Sequence, residues 1–109
     1  MPKKLTPDEA VPTLVQERLT LWGRCIRAQR LSQRITSPAL AQRMSISRAT
    51  LQRLERGDPG ASAANYLRAF FVLGLLDDLA PSPSKTLWTE SGVRRVVHAR
   101  RSVVDDDDF

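Results

Sequence analysis

Apolar residues recur at Val15, Leu19, Trp22 and Ile26, the i, i+4, i+7, i+11 rhythm of one helical face. This predicts a first helix over 13–31, with Cys25 close to the buried face as a small buried thiol. Thr13 and Gln16 stand at capping-box spacing, in which side chains and backbone N–H groups satisfy each other at a helix start. The next apolar group, Leu40, Ala41 and Met44, is short and follows Ser37 and Pro38. Serine as N-cap and proline at the first helical position begin a second helix over 38–44. Ser45, Ile46 and Ser47 make a tight turn, and Ser47 caps a third helix running to about Arg56. Gly57 stops it, because glycine takes a left-handed backbone without penalty.

Asp58, Pro59 and Gly60 are turn chemistry. Ser62 caps a fourth helix that turns Tyr66, Leu67, Phe70 and Leu73 inward and ends at Gly74. Residues 75–79 form one last short element, either a helical turn or a short strand. The alternating prolines and serines of 81–84 are a linker. Beyond it, Val93, Val96 and Val97 suit a helical face and a strand equally. The chain thus divides into an N-terminal arm (1–11), a helical domain (12–80), and a linker and tail with an acidic end (81–109).

Length and charge narrow the picture. With 109 residues, 41% of them apolar, the chain supports one small folded domain. Its net charge is +5, but four of the twelve acids form the run at 105–108. The preceding residues therefore carry all seventeen cations against eight acids, a basic body suited to a polyanionic partner such as nucleic acid. A single cysteine allows no internal disulfide, and no apolar run is long enough for a leader or a membrane span. The expectation is a soluble, cytoplasmic protein with no membrane association.

His98 is the one histidine and has no cysteine near it, so no metal site is expected. The acidic run lacks the alternation and central glycine of a calcium loop. No nucleophile–base set and no phosphate-cradling glycine loop is present. Neither a cofactor nor an enzymatic activity is expected.

Two short helices joined by a tight turn, the second one basic, make the helix-turn-helix pattern. Winding the third helix at about 100° per residue puts Leu51 and Leu54 on one side. Ala49, Gln52, Arg53 and Arg56 fall opposite, Arg48 lies at their edge, and no acid stands at the centre. In a major groove arginine pairs bidentately with guanine, glutamine with adenine, and a small apolar residue meets a thymine methyl. Glu55 falls beside the buried face, where a lone acid needs a partner. Arg30, at the end of the first helix, is the candidate for a structural ion pair.

These residues resemble the Xre/phage-repressor family of helix-turn-helix proteins. The likeness spans 21–75, about half the chain. It rests on Arg27 and Arg30, on Leu40, Ala41, Gln42 and Arg43, on 46–51, and on Leu54, Glu55, Arg56 and Gly57. It implies an all-α, five-helix, lambda-repressor-like domain binding a palindromic operator as a homodimer. By position it places Arg48, Ala49 and Arg53 at bases and Ser37, Ser47 and Arg56 near phosphates, and makes Arg30–Glu55 an internal salt bridge. The full set expected at double-stranded DNA is Ser37, Ser47, Arg48, Ala49, Thr50, Gln52, Arg53 and Arg56. Two positions depart from the family: Ser37 stands where it has a backbone-gripping glutamine, and Ser45 where it favours glycine.

A narrower likeness, over 53–62 and 73–79, is to HipB-type antitoxins. It implies dimerisation through the segment after the fourth helix, autorepression, and binding of a HipA-like kinase toxin. Outside the domain, Leu87 and Trp88 either pack locally or anchor a partner. Arg94, Arg95, Arg100 and Arg101 either extend a DNA footprint or are simply solvated. The acidic run is a solubilising tail, or it competes with DNA for the basic face or docks on a basic partner, with Phe109 adding weight to the last.

Overall fold

A 20-residue first helix, α1 (Thr13–Ser32), spans the domain, and four shorter helices pack along it or on one another. They are α2 (Ser37–Met44), α3 (Arg48–Glu55), α4 (Ala63–Leu73) and α5 (Leu76–Leu79), followed by a single 3₁₀ turn at Lys85–Leu87. The computed structural model describes residues 10–90, and among these there is no strand. Most of the arm, the valines at 93, 96 and 97, His98, the paired arginines and the acidic run lie outside the described residues.

The protein is an all-α, helix-turn-helix-like domain. Helix α1 packs on α3 and α4, α2 packs on α3 and α4, and α5 closes against α4. Their shared core holds Ile26, Leu40, Met44, Leu51, Leu54, Tyr66 and Phe70, all essentially without solvent contact. Trp22 roofs it, edge-on to Phe70 at 4.9 Å and tilted against Tyr66 at 5.7 Å, within the range where aromatic pairs attract. Side chains close two helix ends across elements. Gln33 Nε2 donates to the Leu73 carbonyl (2.9 Å), and Arg68 Nη1 donates to the Met44 carbonyl (3.3 Å).

Helices α1 to α4 all end in the same way. A residue with positive φ lets its own N–H and that of the next residue turn back onto the last carbonyls, the Schellman arrangement. Gly57 (φ 74°) and Gly74 (φ 78°) do this for α3 and α4. Arg34 (φ 59°) and Ser45 (φ 57°) do it for α1 and α2, and an L side chain is strained there. Residues 76–79 resolve the open choice in favour of a helical turn.

Several local expectations are corrected. Thr13 does not cap α1: the N-cap is Pro12, with no side-chain capping bond. Gln16 turns away from the helix start and donates to Thr20 Oγ1 (3.2 Å) and to the Gly57 carbonyl (2.9 Å). At α2 the cap is Thr36 rather than Ser37. Leu40 N–H closes the first turn onto the Thr36 carbonyl, while Thr36 Oγ1 accepts from Ala39 N–H. Ser37 is thus the first helical residue and Pro38 the second, still early enough that proline's missing N–H costs nothing. Val15 and Leu67 face outward, because among the described residues no element lies over those sides of α1 and α4. Ala69 takes the buried place on α4 instead, and Cys25 is half-buried.

Candidate nucleic-acid interface

The outer face of α3 presents Arg48, Ala49, Gln52 and Arg56 to solvent, with Arg53 and Thr50 half-buried at its margins. Leu51 and Leu54 hold the opposite face in the core. Both ends of the helix are pinned. Ser47 Oγ accepts from Thr50 N–H (3.0 Å) and shares a hydroxyl–hydroxyl bond with Thr50 Oγ1 (2.9 Å). Gly57 N–H and Asp58 N–H close the other end onto the Leu54 and Arg53 carbonyls. Ser47→Ala removes the capping acceptor and is expected to cost about 1 kcal/mol, read as a lower urea midpoint at unchanged slope.

Glu55 is drawn inward, away from this face. Arg30 Nε and Nη2 grip it bidentately at 2.8 and 3.2 Å, as the sequence suggests, and Arg30 Nη1 donates to the Ile35 carbonyl (3.1 Å). Both side chains of the pair are over nine-tenths buried. Arg27 Nη1 stands 3.8 Å from the same carboxylate. The one acid within α3 is therefore neutralised from behind, and the outward face of the helix is cationic.

The first turns of α2 and α3 also contain no acid, so the positive ends of both helix dipoles are uncompensated by their own side chains. Ser37 is half-buried at the start of α2, Ser47 exposed at the start of α3 and Arg56 exposed at its end. Ser47 and Arg56 thus stand at the two ends of α3 and Ser37 at the start of α2, the positions to which the family resemblance assigns phosphate contacts.

One feature escaped the sequence reading. Arg53 is not a free cation: its Nε donates to Asp58 Oδ2 at 2.8 Å. The Arg53 guanidinium, and after it the Gly60 N–H, hold the Asp58 carboxyl below its ordinary range. The pair therefore persists at neutral pH, and its contribution to the fold is lost only as acid protonates the depressed carboxyl. Asp58 reads in sequence as turn chemistry alone. Its signal is the five-residue spacing from Arg53 across a helix-stopping glycine, which swings the chain back over the last helical turn.

Set against protein-family models, curated proteins and solved structures, the chain matches none of them. Among the described residues, no group of side chains is arranged to hold a metal ion, and no helix is long and apolar enough to cross a membrane.

Proposed function

We propose that the protein is a sequence-specific DNA-binding regulator of transcription, a repressor that reads a palindromic operator as a homodimer. The observation that carries this reading is the outward face of α3: cationic, anchored at both ends, and carrying Arg48, Ala49, Gln52 and Arg53 side by side. In this mechanism α3 enters the major groove, and its partner copy enters the next one, roughly 34 Å along the duplex. Arg48 and Arg53 pair with guanines, Gln52 pairs with adenine, and Ala49 touches a thymine methyl. Thr50 sits on the first turn of α3 beside its capping partner Ser47. Ser37, Ser47 and Arg56 take phosphates from the helix ends.

The homodimer draws support from α4, whose outer side exposes Phe71 (71%) and Leu67 (39%) one turn apart. A second copy of the chain packed on this side would take both side chains out of water. The same side chains suit a second reading, an antitoxin that neutralises a HipA-like kinase and represses its own operon. A cytoplasmic location follows from either reading and belongs to this proposal.

The test is selection from a random duplex library by the protein and by its Arg48→Ala/Arg53→Ala variant side by side. The intact protein is expected to enrich an inverted repeat and the variant to lose it. Single Arg48→Ala or Arg53→Ala should each relax one base pair per half-site by roughly 1–3 kcal/mol of discrimination. Arg56→Ala should instead weaken binding to every duplex and flatten its salt dependence. Enrichment of nothing by the intact protein would remove the DNA-reading function.

A further inference from the structure

Among the described residues, Arg53 is the one member of the outward α3 face whose guanidinium is already held, and its holder is itself held. Asp58 Oδ2 accepts from Arg53 Nε (2.8 Å), while Asp58 Oδ1 accepts from Gly60 N–H (2.7 Å). The Asp58 backbone is fixed on both sides. Its N–H donates to the Arg53 carbonyl (3.0 Å), and its carbonyl accepts from the Tyr66 hydroxyl (2.8 Å). Tyr66 is 1% exposed, so the carboxylate is tied through one residue to the hydrophobic core.

Gly60 completes the arrangement. Its φ is unremarkable, but a Cβ there would stand 3.1 Å from Arg53 Nη2 and 3.2 Å from Asp58 Oδ1. Glycine is thus set by the close approach of the ion pair, not by backbone conformation. The Asp58 contact uses Nε alone, and among the described residues no hydrogen bond engages Nη1 or Nη2. Those two nitrogens form the edge that pairs with guanine O6 and N7. The Arg53 side chain is 43% exposed, and Nη2 lies beside Gly60, where the missing Cβ leaves it room.

We propose that Asp58 is a positioning residue for base readout: it fixes Arg53 in one orientation, so that its Nη1–Nη2 edge demands a guanine at one position of each half-site. The proposal rests on the reading of α3 as the DNA-contacting helix. Two physical consequences give it content. A long arginine side chain ordered before binding loses less freedom in pairing with a base, so the correct base gains more. A carboxylate near the groove is also repelled by phosphates, so Asp58 lowers affinity for duplexes that offer Arg53 no partner. Asp58 therefore trades non-specific affinity for discrimination.

The experiment measures binding to the selected operator and to operators changed at each half-site position. It compares the intact protein with Asp58→Asn, Gly60→Ala, Arg53→Ala and the Arg53→Ala/Asp58→Asn double variant. Thermal melts confirm that each is folded. Asp58→Asn is expected to reduce discrimination by roughly tenfold at the position that Arg53→Ala relaxes, and at no other. Its affinity for unrelated duplex should hold or rise. Gly60→Ala, which keeps every charge, is expected to reduce discrimination at the same position by a smaller factor, and it replaces Asp58→Asn should that variant not fold. The double variant should lose no more there than Arg53→Ala alone.

A purely structural Asp58 would lower stability and weaken all operators alike, which overturns the proposal. Tighter operator binding by Asp58→Asn with discrimination retained would mean that Asp58 sequesters Arg53, and overturns it too. If the intact protein selects an operator but Arg53→Ala relaxes no position, the proposal falls while the DNA reading stands. If the intact protein selects nothing, both fall.

Discussion

Glu55→Ala is expected to cost about 3–5 kcal/mol of folding stability, because it strands a charge in the interior. Arg30 has only 7% of its side chain exposed, and two of its three hydrogen bonds go to Glu55. The third, to the Ile35 carbonyl, also ties it to the turn after α1, so it cannot swing out freely to water. Arg27, at 3.8 Å, would then add repulsion where it now adds attraction. For a domain of this size the loss corresponds to a fall in melting temperature of about 15 °C or more. Replacing both partners with apolar residues, as in Arg30→Met/Glu55→Leu, should recover most of it, since the desolvation cost disappears with the charges. Calorimetry on the single and double variants checks both statements. A loss below about 1 kcal/mol for Glu55→Ala would mean that Arg30 reaches solvent once released.

Gly23→Ala should be nearly as damaging, against the usual direction for such a change. In the interior of a helix, glycine to alanine normally gains about 1 kcal/mol. Here a Cβ on Gly23 would lie 2.5 Å from the Glu55 carbonyl oxygen and 2.6 Å from that of Leu54. Both atoms are backbone, so no side-chain rotation relieves the clash. The end of α3 has to move off α1, which carries Glu55 away from Arg30 and opens the core around Leu54. Overpacking of this severity costs about 3 kcal/mol. A lowered denaturant midpoint together with weakened duplex binding is the expected result. A raised melting temperature would show that α1 and α3 do not meet as closely as described. The two predictions concern one joint: α1 and α3 touch through a glycine and are locked beside it by an ion pair, and that joint aims the outward face of α3.

Several features written in short stretches of sequence are legible there, although the Thr13–Gln16 capping box and the Ser37 cap are not among them. Ser47 and Ser62 cap their helices as anticipated, since a cap needs only one hydroxyl within reach of an N–H three residues on. Gly57 and Gly74 stop α3 and α4, because glycine is the residue that adopts positive φ without strain. The two faces of α3 follow from helical winding about Leu51 and Leu54. Arg30–Glu55, distant in sequence, is also legible: an acid beside a buried stripe requires a cation, and Arg30 at the end of α1 is the candidate.

What tertiary structure decided concerns groups with more than one local option. Gln16 had a local capping role available and instead spans 41 residues to the Gly57 carbonyl, which becomes reachable only once α1 lies along α3. Ser37 reads in sequence as the cap of α2, yet the Leu40 N–H closes on the Thr36 carbonyl and Thr36 Oγ1 accepts from Ala39 N–H, so the cap falls one residue earlier. Arg34 and Ser45 accept left-handed backbone that nothing in their own chemistry favours, because the packing of the following helix compensates the strain. Val15 and Leu67 fit the apolar rhythm yet are exposed among the described residues, since periodicity gives a direction but does not supply the neighbour that covers it. Gly23 lies within α1 and carries no signal in the helical rhythm, and only the packing of α3 shows it to be the point of contact. The pairing of Arg53 with Asp58 has the same origin: local chemistry marks a turn, and only the folded turn brings the carboxylate back over the helix that it has just left.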